Sequence, residues 1–271
     1  MHRLPILFFL TLFALQIHGQ QTKPSSCNCP AMTKTGKGII YTGIGFHRVF
    51  FTKSNIHFKN NTSANYDFTL HKVKAEDDND FRVGKGFGAP QFSILLGYYF
   101  KSSKKGLGIE LSYDHVKYIA VQDQKLRVTG QINGAKLDKD TVMSKSFVEY
   151  EHTDGANYYM INLLKRKPLL HSKNEKHWLS VVLKPGAGLV IPRSDTRIMG
   201  FRHNERYNIA GFVIGMDGGL RYDFLNYFFA QASAITAYAH YGNVLLYGGG
   251  RAKQHWFSLQ TMLIVGFQFP L

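Results

Sequence analysis

From Phe257 to Phe269 the chain repeats with a period of two. Phe257, Leu259, Thr261, Leu263, Val265, Phe267 and Phe269 share one parity, while Ser258, Gln260, Met262, Ile264, Gly266 and Gln268 share the other. Successive side chains of a strand point to opposite faces. The segment therefore reads as a strand with one apolar and one mixed face. Leu179, Val181, Leu183, Ala187 and Leu189 alternate in the same way with Ser180, Lys184, Gly186 and Gly188. Phe212, Ile214, Met216, Leu220 and Tyr222 alternate with Gly215, Asp217, Gly219 and Arg221. Segments starting at Phe92 and Leu107 repeat the pattern.

A soluble barrel alternates too, with its polar face outward. Three features favour a barrel whose apolar face meets lipid. Aromatic residues stand at the ends of the apolar faces, the strands have roughly 10 residues or more, as a tilted spanning strand needs, and the connections alternate in length. Residues 101–106, 168–176 and 223–226 make short turns, whereas 52–89, 119–154, 191–207 and 241–254 make long connections. Short turns on one side and long loops on the other describe a transmembrane barrel. The expected fold class is all-β, a transmembrane antiparallel up-and-down β-barrel. Its expected strands are 38–51, 90–100, 106–118, 154–166, 177–190, 208–222, 225–240 and 255–269, which makes eight, with ten to twelve left open. A helical rival exists because Phe224–Gly250 and Gln254–Leu271 lack Asp, Glu, Lys and Arg. Asn226, Gln231, Ser233, Thr236, His240, Gln260 and Gln268 would put polar groups all round such helices.

The N-terminus sets the compartment. Arg3 precedes an apolar run, Leu4 to Ile17, and His18-Gly19-Gln20-Gln21 turns polar. This is the layout of a secretory signal peptide, expected over residues 1–20. Residues 21–35 read as a polar periplasmic tail carrying Cys27 and Cys29, and 36–271 as the barrel. Two cysteines leave no disulfide scaffold or cysteine-rich zinc module. The chain has 33 basic and 18 acidic residues, a net +15, and loss of Arg3 brings this to +14. In a secreted barrel such a charge points to phosphate-bearing lipid and away from nucleic acid.

The signal peptide, the amphipathic strands and the ending Val265-Gly266-Phe267-Gln268-Phe269 resemble small bacterial outer-membrane β-barrels of the OmpA/OmpX-like class. His47–Ser54 and Glu151–Gly155 look like outer-membrane proteins of Bacteroidota-like bacteria. The resemblance implies localisation in the cell outer membrane of a Gram-negative bacterium and insertion by the barrel assembly machinery. Pro270-Leu271 after the last aromatic residue depart from the usual ending.

Two chemistries compete for the polar residues. Glu110, Ser112, Asp114, Asp154, Lys184, Asp217 and Arg221 fall on the inward parity. An eight-stranded interior is just wide enough for side chains to fill it, so a packed lumen network is expected, with Lys184 and Arg221 set against Glu110 and Asp217. That predicts a structural, adhesive or surface-binding barrel without catalysis, cofactor or metal. The alternative is an acyl hydrolase or acyltransferase acting on lipid A. It would use His152, Asp154, His115 and Ser112 at the outer rim, because a nucleophile needs a base and the base an orienting acid. Arg193, Arg197, Arg202 and Arg206 are candidates for lipopolysaccharide phosphates, since guanidinium forks fit phosphate oxygens. Lys53, Lys59, Lys72 and Lys74 add charge in the first long connection.

Overall fold

The structure, a computed structural model, describes residues 38–62, 64–78, 90–100, 106–204 and 206–271. The expected signal peptide and cysteine-bearing tail lie outside the described residues. Eight strands form a closed antiparallel ring. They are β1 (Ile39–Phe51), β5 (Phe92–Tyr99), β6 (Leu107–His115), β11 (Tyr158–His171), β12 (His177–Val190), β15 (Gly211–Phe224), β16 (Phe228–Leu245) and β17 (Arg251–Pro270). Closure is made by β1 against β17, where Ile39 stands opposite Pro270 and Phe51 opposite Ser258. The two uncharged segments of the helical rival form β16 and β17, and no described helix is long and apolar enough to cross a membrane. Period two prevails there because it alone segregates Gln231, Ser233, Gln260 and Gln268 from lipid.

The ring's outer wall is a depth gauge. Alternate residues of β17 point outward: Arg251, Lys253, His255, Phe257, then aliphatic residues and Thr261, then Phe267 and Phe269. Neighbouring strands supply matching aromatic bands. At the end away from Ile39 and Pro270, Phe212, Tyr238 and Phe257 adjoin, and so do Phe92, Tyr113 and Tyr159. At the other end, Tyr222, Phe224, Phe228 and Phe267 adjoin. Phe257 to Phe269 covers about 40 Å at ~3.3 Å per residue. A tilt of ~40° reduces this to roughly 30 Å of depth, close to the apolar band of a transmembrane barrel with its two girdles.

The long connections depart from expectation. Instead of irregular loops, they fold into a two-layer head over the mouth. The first layer extends the ring with β2 (Ser54–Asn60), β3 (Tyr66–Val73), β8 (Lys125–Ile132) and β9 (Ala135–Val142). The second is a separate sheet in the order β14-β13-β10-β7-β4. Its strands are β4 (Ala75–Glu76), β7 (Tyr118–Ala120), β10 (Val148–His152), β13 (Asp195–Ile198) and β14 (Phe201–His203). Strand β2 continues β1 along β17, but Phe51 opposes Ser258 while Ile56 opposes Gln254, a slip of one residue. A one-residue insertion reverses which parity faces out. Accordingly Phe46, Arg48 and Phe50 face outward below the slip, and Asn55, His57 and Lys59 above it.

Phe58 stacks on Phe68 at 5.2 Å and meets Tyr150 of the second layer edge-on at 5.5 Å. The same core reaches down to the mouth, where Trp256 stacks between Tyr118 (4.6 Å) and Tyr241 (4.5 Å) and its indole N–H donates to Tyr158 Oη at 3.0 Å. Trp256, Tyr241 and Tyr158 come from three ring strands and are fully buried. The head and barrel thus share one aromatic seal.

Candidate functional site: the filled lumen and the sealed mouth

Inward parity puts charged side chains where water is scarce, and each then needs partners. Lys184 on β12 supplies the centre of the network. Its Nζ lies 3.1 Å from Glu110 Oε1 and 2.8 Å from Asp217 Oδ2. Glu110 also accepts from Tyr41 Oη at 2.5 Å and from Asn162 Nδ2 at 3.3 Å. Asp114 accepts from Ser93 Oγ at 2.5 Å, and His47 Nδ1 lies 3.2 Å from that hydroxyl. Between these groups a cavity of about 20 Å³ remains, lined by Glu110, Asp114, Lys184 and Asp217. That is room for about one water molecule.

Arg221 departs from the expected pairing with Glu110 or Asp217. Its Nε donates to Asp223 Oδ1 at 3.0 Å, a second N–H group to Gln268 Oε1 at 2.9 Å, and its guanidinium sits 3.6 Å above the Phe229 ring. Arg166 closes on the same Asp223 and donates to Ser180 Oγ at 3.0 Å. Arg221 and Asp223 share one face of β15, so the pair forms next to the short turn, four positions along β15 from Asp217, the partner of Lys184. The alternation that extends β11 through Arg166 and β15 through Asp223 was a signal for both residues.

The four hydrolase candidates are not assembled. Ser112 faces the lumen and accepts from Asn162 Nδ2 at 3.1 Å. His115, of opposite parity, faces outward, stacked 5.2 Å from Phe92 and 3.0 Å from Asn157 Oδ1. Asp154, placed inward by its parity, instead lies outside the lumen as a half-exposed partner of Arg193 at 3.4 Å. The reason is that 154 precedes β11, which begins only at Tyr158. His152 is fully buried in the seal, stacked 5.3 Å from Tyr241. Its Nδ1 lies 2.7 Å from Ser194 Oγ, a partner the sequence reading missed, and its Nε2 is buried with no hydrogen-bond partner. Burial alone lowers the His152 pKa to about 3. An imidazole with no carboxylate behind it and no exposed face has neither the orienting acid nor the substrate access that nucleophilic catalysis requires.

Three of the four candidate arginines for lipopolysaccharide are engaged within the chain. Arg193 faces Asp154, Arg197 lies 3.6 Å from Glu149, and Arg202 forms a two-pronged bond to Asp195. Hydrogen bonds from Arg202 hold the Asp195 carboxyl below the usual carboxylate range. Arg206 is exposed beside the exposed Tyr207. In the first connection, Lys59 is 2.9 Å from Asp67 and Lys74 is 3.3 Å from Glu76, while Lys53 and Lys72 are exposed. No group of metal-ligating side chains occurs among the described residues.

The chain is similar to solved outer-membrane barrels. AlkL, solved in lipid bilayers, is 12% identical with a TM-score of 0.40, and the match covers 93% of this chain and 98% of that one. OprG of Pseudomonas aeruginosa is 12% identical with a TM-score of 0.36, covering 87% of this chain and 98% of that one. Ail of Yersinia pestis is 14% identical with a TM-score of 0.32, covering 86% and 99%. No family model and no curated protein matches. The architecture is established by the chain's own ring closure and apolar wall. A closed amphipathic barrel with two aromatic girdles is the architecture of outer-membrane proteins.

Proposed function

We propose that this chain is a non-catalytic outer-membrane protein whose filled barrel holds a rigid two-layer head above the membrane as a binding or adhesive surface. The observation that supports this reading is the shared seal of Trp256, Tyr241, Tyr158 and Tyr118, which fastens the head to the barrel mouth. A polar lumen plugged around Lys184 leaves no conduit, so the exposed head is the part of the protein available to a partner. The membrane supplies the other contacts: lipid around the wall and, at the outer rim, lipopolysaccharide. An aromatic final strand such as Phe267–Phe269 suits delivery by the barrel assembly machinery.

The orientation is tested at the tip of the β8–β9 hairpin. Asn133 and Gly134 form its two-residue turn with positive φ, and space around Gly134 is open. An epitope inserted between them should be reached by antibody on intact cells, in a protein whose gel mobility in detergent changes on heating. An epitope reached only after lysis would overturn the reading.

A further inference from the structure

We infer that the outer face of β16–β17–β2, immediately above the aromatic girdle, is a binding site for the phosphate of an outer-leaflet lipid headgroup. The inference rests on the reading of the ring as membrane-spanning and adds to it the face, the residues and the ligand chemistry.

The outward row of β17 changes character over four alternate positions: Phe257, His255, Lys253, Arg251. Phe257 belongs to the girdle through Tyr238, at 5.0 Å. His255 pairs in register with His240 of β16, and His240 stacks toward Phe212 at 5.4 Å. Lys253 stands opposite His57 of β2, and Arg251 opposite Lys59. Lys253 lies four residues beyond Phe257, about 10 Å higher at the rise and tilt of such strands. This is where a bilayer's phosphates begin, and a lysine stem can lean down along the wall toward them.

The charge balance of the face is one-sided. Asp67, a carboxylate of this face, is taken: His57 Nε2 lies 2.7 Å away and Lys59 Nζ 2.9 Å away. Lys253 and Arg251 are exposed and make no ion pair among the described residues. Arg251 donates through one nitrogen to the carbonyls of Gly249 and Gly250, at 3.0 and 2.8 Å. Those bonds occupy one guanidinium nitrogen and leave the other N–H groups without a hydrogen bond among the described residues. Arginine forks and lysine ammonium groups are the usual partners of phosphate oxygens. On the arginine-rich connection 193–206, by contrast, Arg193, Arg197 and Arg202 are matched by acids of the chain itself.

The test uses the refolded full-length protein in detergent micelles, offered an equimolar mixture of bisphosphorylated and dephosphorylated lipid A. Bound lipid is read by native mass spectrometry. The wild type should retain the phosphorylated lipid preferentially, and Arg251→Gln/Lys253→Gln should lower that preference about tenfold. Lys136→Gln/Lys139→Gln, which removes two exposed cations of the distal hairpin, should leave the preference unchanged, as should millimolar inorganic phosphate. Equal retention of both lipids by the wild type, the same preference in the Arg251/Lys253 variant, equal loss in the hairpin variant, or full competition by inorganic phosphate would each overturn the inference. Heat-dependent gel mobility of each protein reports folding separately. A wild type that never shows it would overturn the membrane reading itself, and this inference with it.

Discussion

The imidazole of His152 lies 2.7 Å from the hydroxyl of Ser194, in the middle of the aromatic seal. This bond ties β10 to the segment entering β13, its neighbour in the second layer, while the His152 ring itself packs on Tyr241 and Trp256 of the barrel mouth. Its surroundings are Tyr118, Tyr150, Tyr241 and Trp256, none of which carries charge at neutral pH.

Acid should therefore loosen the head. Burial lowers the His152 pKa from 6.5 to about 3 in the folded protein. The unfolded chain takes up that proton first as pH falls, so His152 costs no stability above pH 6.5 and progressively more below it. The loss amounts to about 1.4 kcal/mol per pH unit down to about pH 3. Denaturant unfolding followed by Trp256 fluorescence in a Trp178→Phe background, at pH 7.5 and pH 5, measures it. His152→Gln should flatten that pH slope, and an equal slope in the variant would refute the assignment.

Lys184 holds two acids at once. Replacing it by Met leaves Glu110 and Asp217 facing each other in a closed lumen, and breaking a buried pair costs about 3–5 kcal/mol. Adding Glu110→Gln to Lys184→Met should restore part of this loss. Urea midpoints in lipid vesicles decide the matter; a double variant no more stable than the single one would contradict the coupling.

Gly97 leaves space for a ring. A Cβ there would fall 2.1 Å from the Tyr41 ring, which stacks on Tyr99 at 5.4 Å and binds Glu110. Gly97→Ala should destabilise the barrel by about 1–3 kcal/mol through overpacking, seen as a lower temperature for the heat-induced mobility shift. Unchanged thermal stability would mean that Tyr41 has another place to go.

The lumen should carry no steady current. Planar bilayers holding the protein are expected to show no conductance steps, because Glu110, Asp114, Lys184 and Asp217 surround a space of about 20 Å³. Expression should likewise leave the lipid A mass spectrum unchanged. A deacylated species that disappears in His152→Ala would restore the hydrolase reading.

The barrel was legible in the chain because alternation is a local property. Phe257 to Phe269 needs only its own residue order to show which face meets lipid, and Lys184, Asp217 and Glu110 needed only their parity to be placed inward. Parity also misled. Asp154 shares it with the lumen residues but precedes β11, and Arg221 found Asp223 and Gln268 near the short turn instead of the central acids.

The head was decided by tertiary structure. Nothing local in residues 52–89, 119–154 or 191–207 announces that β2 will prolong β1 past a one-residue slip, or that β4, β7, β10, β13 and β14 will meet from three separate connections. β2–β3, β8–β9 and β13–β14 are local hairpins, but β4 with β7, β10 with β13 and β3 with β8 pair across long stretches of sequence, so the assembly of the hairpins into layers is specified by packing against the closed ring. His152 shows the consequence: the sequence marks it as a polar residue near a rim, and the fold, by packing Trp256, Tyr118 and Tyr241 around it, makes it a buried neutral group. What the residue order alone determined is a closed amphipathic wall with a polar interior, because strand periodicity needs no partner. The seal and the charge pairing of the loops came from long-range contacts, because burial and ion pairing depend on neighbours that only the folded chain supplies.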